Sequence, residues 1–201
     1  MKRRGFITSF LLGTAIPVVI GSLAKLPGGK KLKRFLRPPG ALAEDDFLKS
    51  CIGCGECANV CPNKCIELQG FEDGFENLAK PAIIAVKKPC ILCMACTQVC
   101  PTGALKKLEP TEEGKMAAGM GKAFLSTDVC YSYNMRTCGT CYHACPLPGK
   151  AMTIGIYEQP TIHYDQCVGC GLCEQACIHM PKAIRVIPTR ELDKYKQDRQ
   201  S

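Results

Sequence analysis

Residues 51–62 read Cys51-Ile52-Gly53-Cys54-Gly55-Glu56-Cys57-Ala58-Asn59-Val60-Cys61-Pro62. Two, two and three residues separate the four cysteines of this stretch, which we call run 1, and a proline follows the last one. Run 2 (Cys90, Cys93, Cys96 and Cys100) and run 4 (Cys167, Cys170, Cys173 and Cys177) repeat that spacing. Run 3 (Cys130, Cys138, Cys141 and Cys145) differs only in a first gap of seven residues. Sixteen of the 17 cysteines therefore belong to four runs of one design.

This spacing is typical of cysteines that bind [4Fe–4S] clusters. Two residues between successive cysteines form a tight loop, so that three thiolates can surround one cluster. The fourth cysteine lies further along the chain, and in proteins with two clusters it binds the other one. The sequence therefore predicts four [4Fe–4S] clusters, with all sixteen cysteines of the four runs as ligands, and a role in electron transfer.

Two other uses of cysteine fit the spacing less well. Structural zinc sites usually take cysteines as pairs that lie a dozen or more residues apart. Disulfide frameworks belong to short secreted domains whose cysteines are irregularly spaced. Three of the present runs place four cysteines within eleven residues each, and this regular repetition favours clusters over both alternatives.

The runs are embedded in a repeated unit of secondary structure. Strand-like stretches precede three of the runs, at Ala82 to Val86, Lys122 to Leu125 and Pro160 to Tyr164, and a small residue with a short apolar segment follows each run. The predicted fold is α+β, with small modules of the bacterial ferredoxin type. We expect two two-cluster units built from short hairpins and helical turns.

The sequence leaves open which runs share a two-cluster unit. Sequential pairing would join run 1 with run 2 and run 3 with run 4, whereas nested pairing would join run 1 with run 4 and run 2 with run 3. Related multi-cluster subunits favour the nested arrangement, which is our expectation.

The seventeenth cysteine, Cys65, aligns across the repeats with Ala104, Ala151 and Ala183. It is therefore expected to be a small buried residue. A further ligand or a redox-active thiol is the alternative.

The N-terminus predicts export. Lys2-Arg3-Arg4-Gly5-Phe6-Ile7-Thr8 leads into an apolar stretch from Phe6 to Ala24, which has the anatomy of a signal segment. The paired arginines indicate the twin-arginine route, so we expect a membrane-associated protein of the periplasm. Export in the folded state would protect cluster-bound thiolates from an oxidising compartment. An uncleaved membrane anchor is the alternative, and cleavage is left open.

The charge of the chain is unevenly distributed. The net charge is +8, but all 18 acidic residues lie beyond Pro38, and only basic ones precede it. This asymmetry removes the argument for nucleic-acid binding, and the basic stretch from Lys25 to Arg37 suits either anionic lipid or a solvated linker. We expect an export signal or anchor with a basic linker at 1–36, a four-cluster domain at 37–188 and a polar tail at 189–201.

The sequence has no glycine-rich dinucleotide fingerprint, no P-loop and no paired catalytic carboxylates near a motif. We therefore expect no substrate turnover on this polypeptide alone.

Taken together, the chain resembles the NapG/MauM family of ferredoxin-type proteins. The resemblance rests on the paired arginines, the widened run 3, Arg37-Pro38-Pro39-Gly40-Ala41, and Gly119-Met120-Gly121-Lys122-Ala123-Phe124-Leu125 before Cys130. It implies an exported carrier of four [4Fe–4S] clusters that acts with a polytopic membrane iron–sulfur protein, NapH, as the non-catalytic component of a quinol dehydrogenase. Electrons would then reach a periplasmic cytochrome c or a molybdoenzyme such as nitrate reductase. The alternatives are the iron–sulfur subunit of another molybdenum-cofactor oxidoreductase and a MauM-like maturation factor.

Overall fold

The computed structural model of the protein describes residues 35–193 and residue 195. The predicted export signal and basic linker up to residue 34, and most of the predicted tail, lie outside the described residues. Within them, no helix is long and apolar enough to cross a membrane.

The secondary-structure elements are short because cysteine loops interrupt the chain repeatedly. The α-helices are α1 (Glu44–Ser50), α2 (Glu56–Val60), α3 (Ala95–Gln98), α4 (Glu112–Met116), α5 (Thr140–His143) and α6 (Leu172–Ala176). The strands are β1 (Ile66–Leu68), β2 (Pro81–Ile83), β3 (Gly121–Leu125), β4 (Met152–Ile154), β5 (Pro160–Ile162) and β6 (Ile184–Pro188). Short 3₁₀ turns lie at Phe71–Asp73, Phe75–Asn77, Thr127–Val129, Ser132–Asn134, Ile156–Glu158 and Thr189–Glu191. The predicted α+β class is confirmed, and β2, β3 and β5 overlap the three predicted strands, although β2 ends at Ile83 and β5 at Ile162, before the predicted ends at Val86 and Tyr164.

In the N-terminal half, residues 35–109, a hairpin connects runs 1 and 2. Strands β1 and β2 are antiparallel, with Ile66 opposite Ile83. The segment before run 1 pairs with the segment after run 2 through a bridge between Ala41 and Leu105. The Lys106 N–H donates to the Gly40 carbonyl at 2.7 Å beside this bridge. The two cysteine runs are thereby enclosed between a hairpin and a closing contact.

The C-terminal half, residues 118–191, repeats this order of elements. Strands β4 and β5 form an antiparallel hairpin between runs 3 and 4. Strand β3 precedes run 3 and pairs with β6, which follows run 4, so that Ala123 lies opposite Val186. Helix α4 lies between the halves, in the segment expected to be a linker, and the Thr111 hydroxyl caps it by accepting from the Gly114 N–H at 3.2 Å.

The core interleaves aliphatic side chains with cysteines. Its most deeply buried members include Leu36, Phe47, Ile83, Leu92 and Ile184, and six cysteines of the runs join them in one cluster together with Cys65. Cys65 is 3 % exposed, and the three alanines that align with it are buried to a similar degree. The predicted packing role of this position in the repeats is confirmed by its burial.

Arg37 braces the N-terminal half from within and is only 6 % exposed. Its Nη1 donates to Gln69 Oε1 at 3.0 Å and to the Pro81 carbonyl at 3.1 Å. Its Nη2 donates to Glu44 Oε1 and to Asn77 Oδ1, both at 2.6 Å. The expectation that the basic stretch is solvated or lies against lipid is therefore wrong for Arg37, because this guanidinium is buried and paired with a carboxylate.

Candidate metal centres

Each cysteine run has the same local geometry. The residue after the second cysteine adopts a left-handed conformation, and a helix of four or five residues starts directly after it. These four residues are Gly55, Met94, Gly139 and Gly171. Glycine reaches this conformation without steric cost, whereas Met94 adopts it at a cost of about 1–2 kcal/mol. In each run the helix that follows this turn carries the third cysteine.

Two of the cysteine groups line well-defined cavities. Quartet I consists of Cys51, Cys54 and Cys57 from run 1 and Cys100 from run 2. Phe47, Pro81 and Leu105 complete the walls of its cavity. Quartet IV consists of Cys167, Cys170 and Cys173 from run 4 and Cys145 from run 3. In both cases the fourth cysteine of one run lies with the first three cysteines of its neighbour in sequence.

The same exchange of fourth cysteines between consecutive runs assigns the eight remaining ligand cysteines to two further groups, and the pKa shifts of two thiols agree with this assignment. Burial, followed by the nearby Cys57, Cys93 and Cys61, raises the pKa of Cys96 to about 12. Burial, followed by Cys130 and Cys177, raises the pKa of Cys141 to about 12. By that exchange, quartet II consists of Cys90, Cys93, Cys96 and Cys61, and quartet III consists of Cys130, Cys138, Cys141 and Cys177, while Cys57 belongs to the adjacent quartet I.

The nested pairing of runs is wrong for this fold. The cysteines that line one cavity come from runs 1 and 2 or from runs 3 and 4. The physical reason is the hairpins, because β1 with β2 and β4 with β5 fold each run back onto the next one. The strand-like stretches before runs 2 and 4 carried this information in the sequence.

The quartets have the donor set and surroundings that a [4Fe–4S] cluster requires. Burial, followed by the thiolates of Cys51, Cys54 and Cys100, raises the pKa of Cys57 to about 11. Such mutual repulsion disfavours four thiolates in one apolar cavity unless a positively charged group lies among them. Within residues 35–193, no group of three His, Cys, Asp or Glu side chains could hold a single metal ion. Iron–sulfur clusters take all-thiolate ligands, so the quartets fit them.

The widened loop of run 3 folds back upon itself. Asn134 Nδ2 donates to the Cys130 carbonyl at 2.8 Å, and the Arg136 N–H donates to the Tyr131 carbonyl at 3.0 Å. The buried hydroxyl of Ser132 accepts from the Gly139 N–H at 3.5 Å. This compact turn absorbs the additional residues, and Cys130 still lies beside Cys141.

Two buried polar side chains in the runs are not identified by the cysteine spacing. Thr97 and Glu174 directly follow the third cysteines of runs 2 and 4. Thr97 Oγ1 accepts from the Leu108 N–H at 3.1 Å, and Glu174 Oε2 accepts from the Val186 N–H at 2.8 Å. Each side chain thus ties a ligand-bearing helix to the segment that closes its half. Their shared place in the repeat was the signal that could have revealed them.

Family models support the chemistry of the cysteine runs. A model described as 4Fe-4S dicluster domain matches residues 50–104 and 89–148, and one described as 4Fe-4S binding domain matches residues 160–179. With the small helices and strands and the clustered cysteines, they define a ferredoxin-type iron–sulfur protein of electron transfer.

Curated proteins that match most of the chain identify its family within this class. The chain is 38% identical to the methylamine utilization ferredoxin-type protein MauM of Methylorubrum extorquens, covering 90% of this chain and 83% of that protein. It is 35% identical to the ferredoxin-type protein NapG of Haemophilus influenzae, covering 84% of this chain and 65% of that protein. NapG of Escherichia coli is 32% identical, with 76% and 70% covered. The chain belongs to the MauM/NapG family of ferredoxin-type proteins.

Proposed function

We propose that this protein is an exported electron relay that holds four [4Fe–4S] clusters, one in each cysteine quartet. The observation that carries the proposal is that four cysteines of two consecutive runs line a single cavity, in quartet I and again in quartet IV. Bound clusters supply reversible one-electron redox chemistry. All sixteen ligands are used once in this assignment.

The residues of the chain would bind the clusters, shield them from water and hold the ligand-bearing helices in place. The cysteines supply thiolates, and the buried side chains around them exclude water from the cavities, which tunes the potential of a bound cluster. Thr97 and Glu174 fix two of the ligand-bearing helices through backbone N–H groups. Substrate oxidation and reduction belong to partner proteins.

The donor in this proposal is a NapH-like polytopic membrane iron–sulfur protein that oxidises quinol. The acceptor is a periplasmic cytochrome c or a molybdoenzyme such as nitrate reductase. NapG relatives and the paired Arg3 and Arg4 support this assignment. Beyond Pro38 the acidic and basic residues nearly balance, and quartets of thiolates outweigh the charge of their clusters. The loaded domain is thus acidic and suited to a cationic redox partner.

A second candidate is a MauM-like role in methylamine utilization, in which electrons serve the maturation of another enzyme. It is favoured by the identities, which reach 38% and 39% for two MauM proteins and 35% and 32% for two NapG proteins. Genes beside this one would discriminate the roles: a nitrate reductase with a NapH-like gene for the first, methylamine dehydrogenase genes for the second.

Iron analysis tests the clusters. Protein purified without oxygen should contain about sixteen iron atoms per chain, four for each quartet. A content near eight would contradict the assignment of four clusters.

Quinol-dependent reduction tests the relay. Membranes that contain this protein and its neighbouring membrane protein should bleach the cluster absorbance when quinol is added. Membranes without the neighbour should not, and equal bleaching in both would refute the proposed donor.

Replacement of Arg3 and Arg4 by lysine tests the compartment. The variant should accumulate in the cytoplasm, because the twin-arginine route recognises the paired arginines. Unchanged export would exclude this route.

A further inference from the structure

We propose that the four quartets form one row in the order I, II, IV, III, and that electrons cross between the halves where Cys90 meets Cys170. This inference rests on the proposed function, because it takes the quartets as cluster sites. It adds the order in which electrons pass from quartet to quartet and the place where they pass from one half to the other.

Short helices make the quartets of each half neighbours. Helix α2 contains Cys57 of quartet I and ends directly before Cys61 of quartet II. Helix α6 contains Cys173 of quartet IV and ends directly before Cys177 of quartet III. One helix of five residues therefore joins I to II, and another joins IV to III.

A hydrogen bond between ligand residues joins quartet II to quartet IV. The Cys90 N–H donates to the Cys170 carbonyl at 3.0 Å. Cys90 is 5 % exposed and Cys170 is 7 % exposed, so this contact is shielded from solvent. Among the backbone hydrogen bonds of residues 35–193, it is the one that connects a quartet residue of each half.

The backbone segments on the two sides of this contact approach each other closely. Gly171 adopts a left-handed conformation with φ +88°, and a Cβ built there would lie 2.4 Å from the Ala85 Cβ. Gln175 Nε2 also donates to the Lys87 carbonyl at 3.0 Å. The loop of run 4 therefore packs directly on the segment that precedes run 2, and only glycine fits at position 171.

The two ends of the row are open. Cys54 of quartet I is the only exposed cysteine of the seventeen, all of which lie in the described part of the chain. Ile52 beside it is 68 % exposed, and Ile178, directly after Cys177 of quartet III, is 63 % exposed. Donor and acceptor thus have access at opposite ends of the row.

Each transfer between the halves moves one electron and no proton, so that one half is oxidised and the other is reduced. The quinol-oxidising partner supplies the electron, and the soluble redox protein removes it.

Two sets of alanine variants test the order. The first set replaces Cys54, Cys57, Cys138 and Cys141 and leaves quartets II and IV. The second replaces Cys93, Cys96, Cys167 and Cys173 and leaves quartets I and III. Each should retain about eight iron atoms. After full reduction, the electron paramagnetic resonance spectrum of the first should show spin–spin splitting, and that of the second should be the sum of two isolated signals. Splitting in the second and none in the first would overturn the proposed order.

Two glycine variants, at Gly171 and Gly55, test the crossing point while all sixteen ligand cysteines are kept. They decide the test if the cysteine variants lose their remaining iron. Gly171→Ala forces Ala85 away, whereas Gly55→Ala has the same left-handed backbone and meets only Leu68 Cδ1 at 3.5 Å. The Gly171 variant should lose the coupling between the halves, and the Gly55 variant should keep it. Equal coupling in both variants would refute the crossing point. A wild-type iron content other than about sixteen would instead count against the four-cluster function itself.

Discussion

The two halves of the molecule hold their cysteines alike but close differently. The C-terminal half closes through a five-residue antiparallel ladder between β3 and β6. The N-terminal half closes through two isolated bridges, Ala41 with Leu105 and Leu36 with Ile83, and a few neighbouring hydrogen bonds. Their connections differ as well, because residues 69–80 join β1 to β2 and residues 155–159 join β4 to β5.

Arg37 compensates for the weaker closure of the N-terminal half. Its guanidinium contacts Gln69 and Asn77 in the long connection, Glu44 in α1 and the Pro81 carbonyl in β2. In the C-terminal half, the ladder itself holds the corresponding segments. The comparison teaches that the cysteine loops set the cluster sites, whereas the stability of each half depends on contacts that the repeats do not share.

The largest expected effect is that of Arg37→Met, which should destabilise the N-terminal half by about 3–5 kcal/mol. Removing the buried guanidinium leaves the amide oxygens of Gln69 and Asn77 without their donor, and it leaves Glu44 with only the more distant Arg190 Nη1 at 3.9 Å. Quartets I and II should therefore release iron at a lower temperature than quartets III and IV, which is measured as two separate losses of visible absorbance on heating.

Arg185→Met is the matched control, because Arg185 lies on an exposed position of β6. Its effect should stay within about 0.5 kcal/mol. A single unsplit transition in the Arg37 variant, at the temperature of the wild type, would show that the brace is dispensable.

The closing bridge can be broken by Gly40→Ala. Gly40 has φ +73°, and an added Cβ would lie 2.6 Å from the Lys106 carbonyl oxygen, where the two segments pair. Backbone strain and this clash together should cost about 2–4 kcal/mol. Gly103→Ala has a similar φ of +70° with nothing within 4 Å, so it should cost only the strain, about 1–2 kcal/mol. Equal losses of thermal stability in the two variants would mean that the close approach contributes nothing.

Structural features that recur in the four repeats could be predicted from the sequence, whereas contacts that occur in only one half could not. The strands before runs 2, 3 and 4 and the burial of Cys65 followed from aligning one repeat with the next, since a shared position implies a shared environment. The brace formed by Arg37 could not be foreseen, because an arginine in a basic stretch has the same sequence signature whether it is solvated or buried. Its partners Gln69 and Asn77 lie far along the chain and become neighbours only when the hairpin folds.

The pairing of the runs is predictable in principle, although the nested arrangement expected from the sequence is wrong. Analogy with larger subunits favoured nesting, whereas the short strand-like stretches between consecutive runs already favoured hairpins. Local chain connectivity prevailed because a hairpin brings consecutive runs together at a small cost in loop-closure entropy.

Thr97 and Glu174 make corresponding hydrogen bonds in the two halves, and replacing them should have a smaller effect on stability. Thr97→Val keeps the shape but leaves the half-buried Leu108 N–H without its acceptor, which should cost about 1 kcal/mol. Glu174→Leu should do the same to the Val186 N–H in the other half. Thr97→Ser and Glu174→Gln keep an oxygen acceptor and should lose much less thermal stability. If the conservative variants were as unstable as the apolar ones, packing rather than hydrogen bonding would explain both residues.

Cys65→Ala should have the smallest effect, because alanine already occupies the aligned position in the three other repeats. The Cys65 Sγ lies 3.5 Å from Cys61 Sγ of quartet II, so the thiol packs beside a ligand. Removing one buried sulfur should lower stability by about 1 kcal/mol and leave iron content and redox spectra unchanged. Cys57→Ala, which removes a thiolate that lines the cavity of quartet I, should lower the iron content or alter the reduced spectrum. Equal loss of iron from both variants would make Cys65 a seventeenth ligand, and the N-terminal half would then differ from its counterpart in its metal chemistry as well as in its closure.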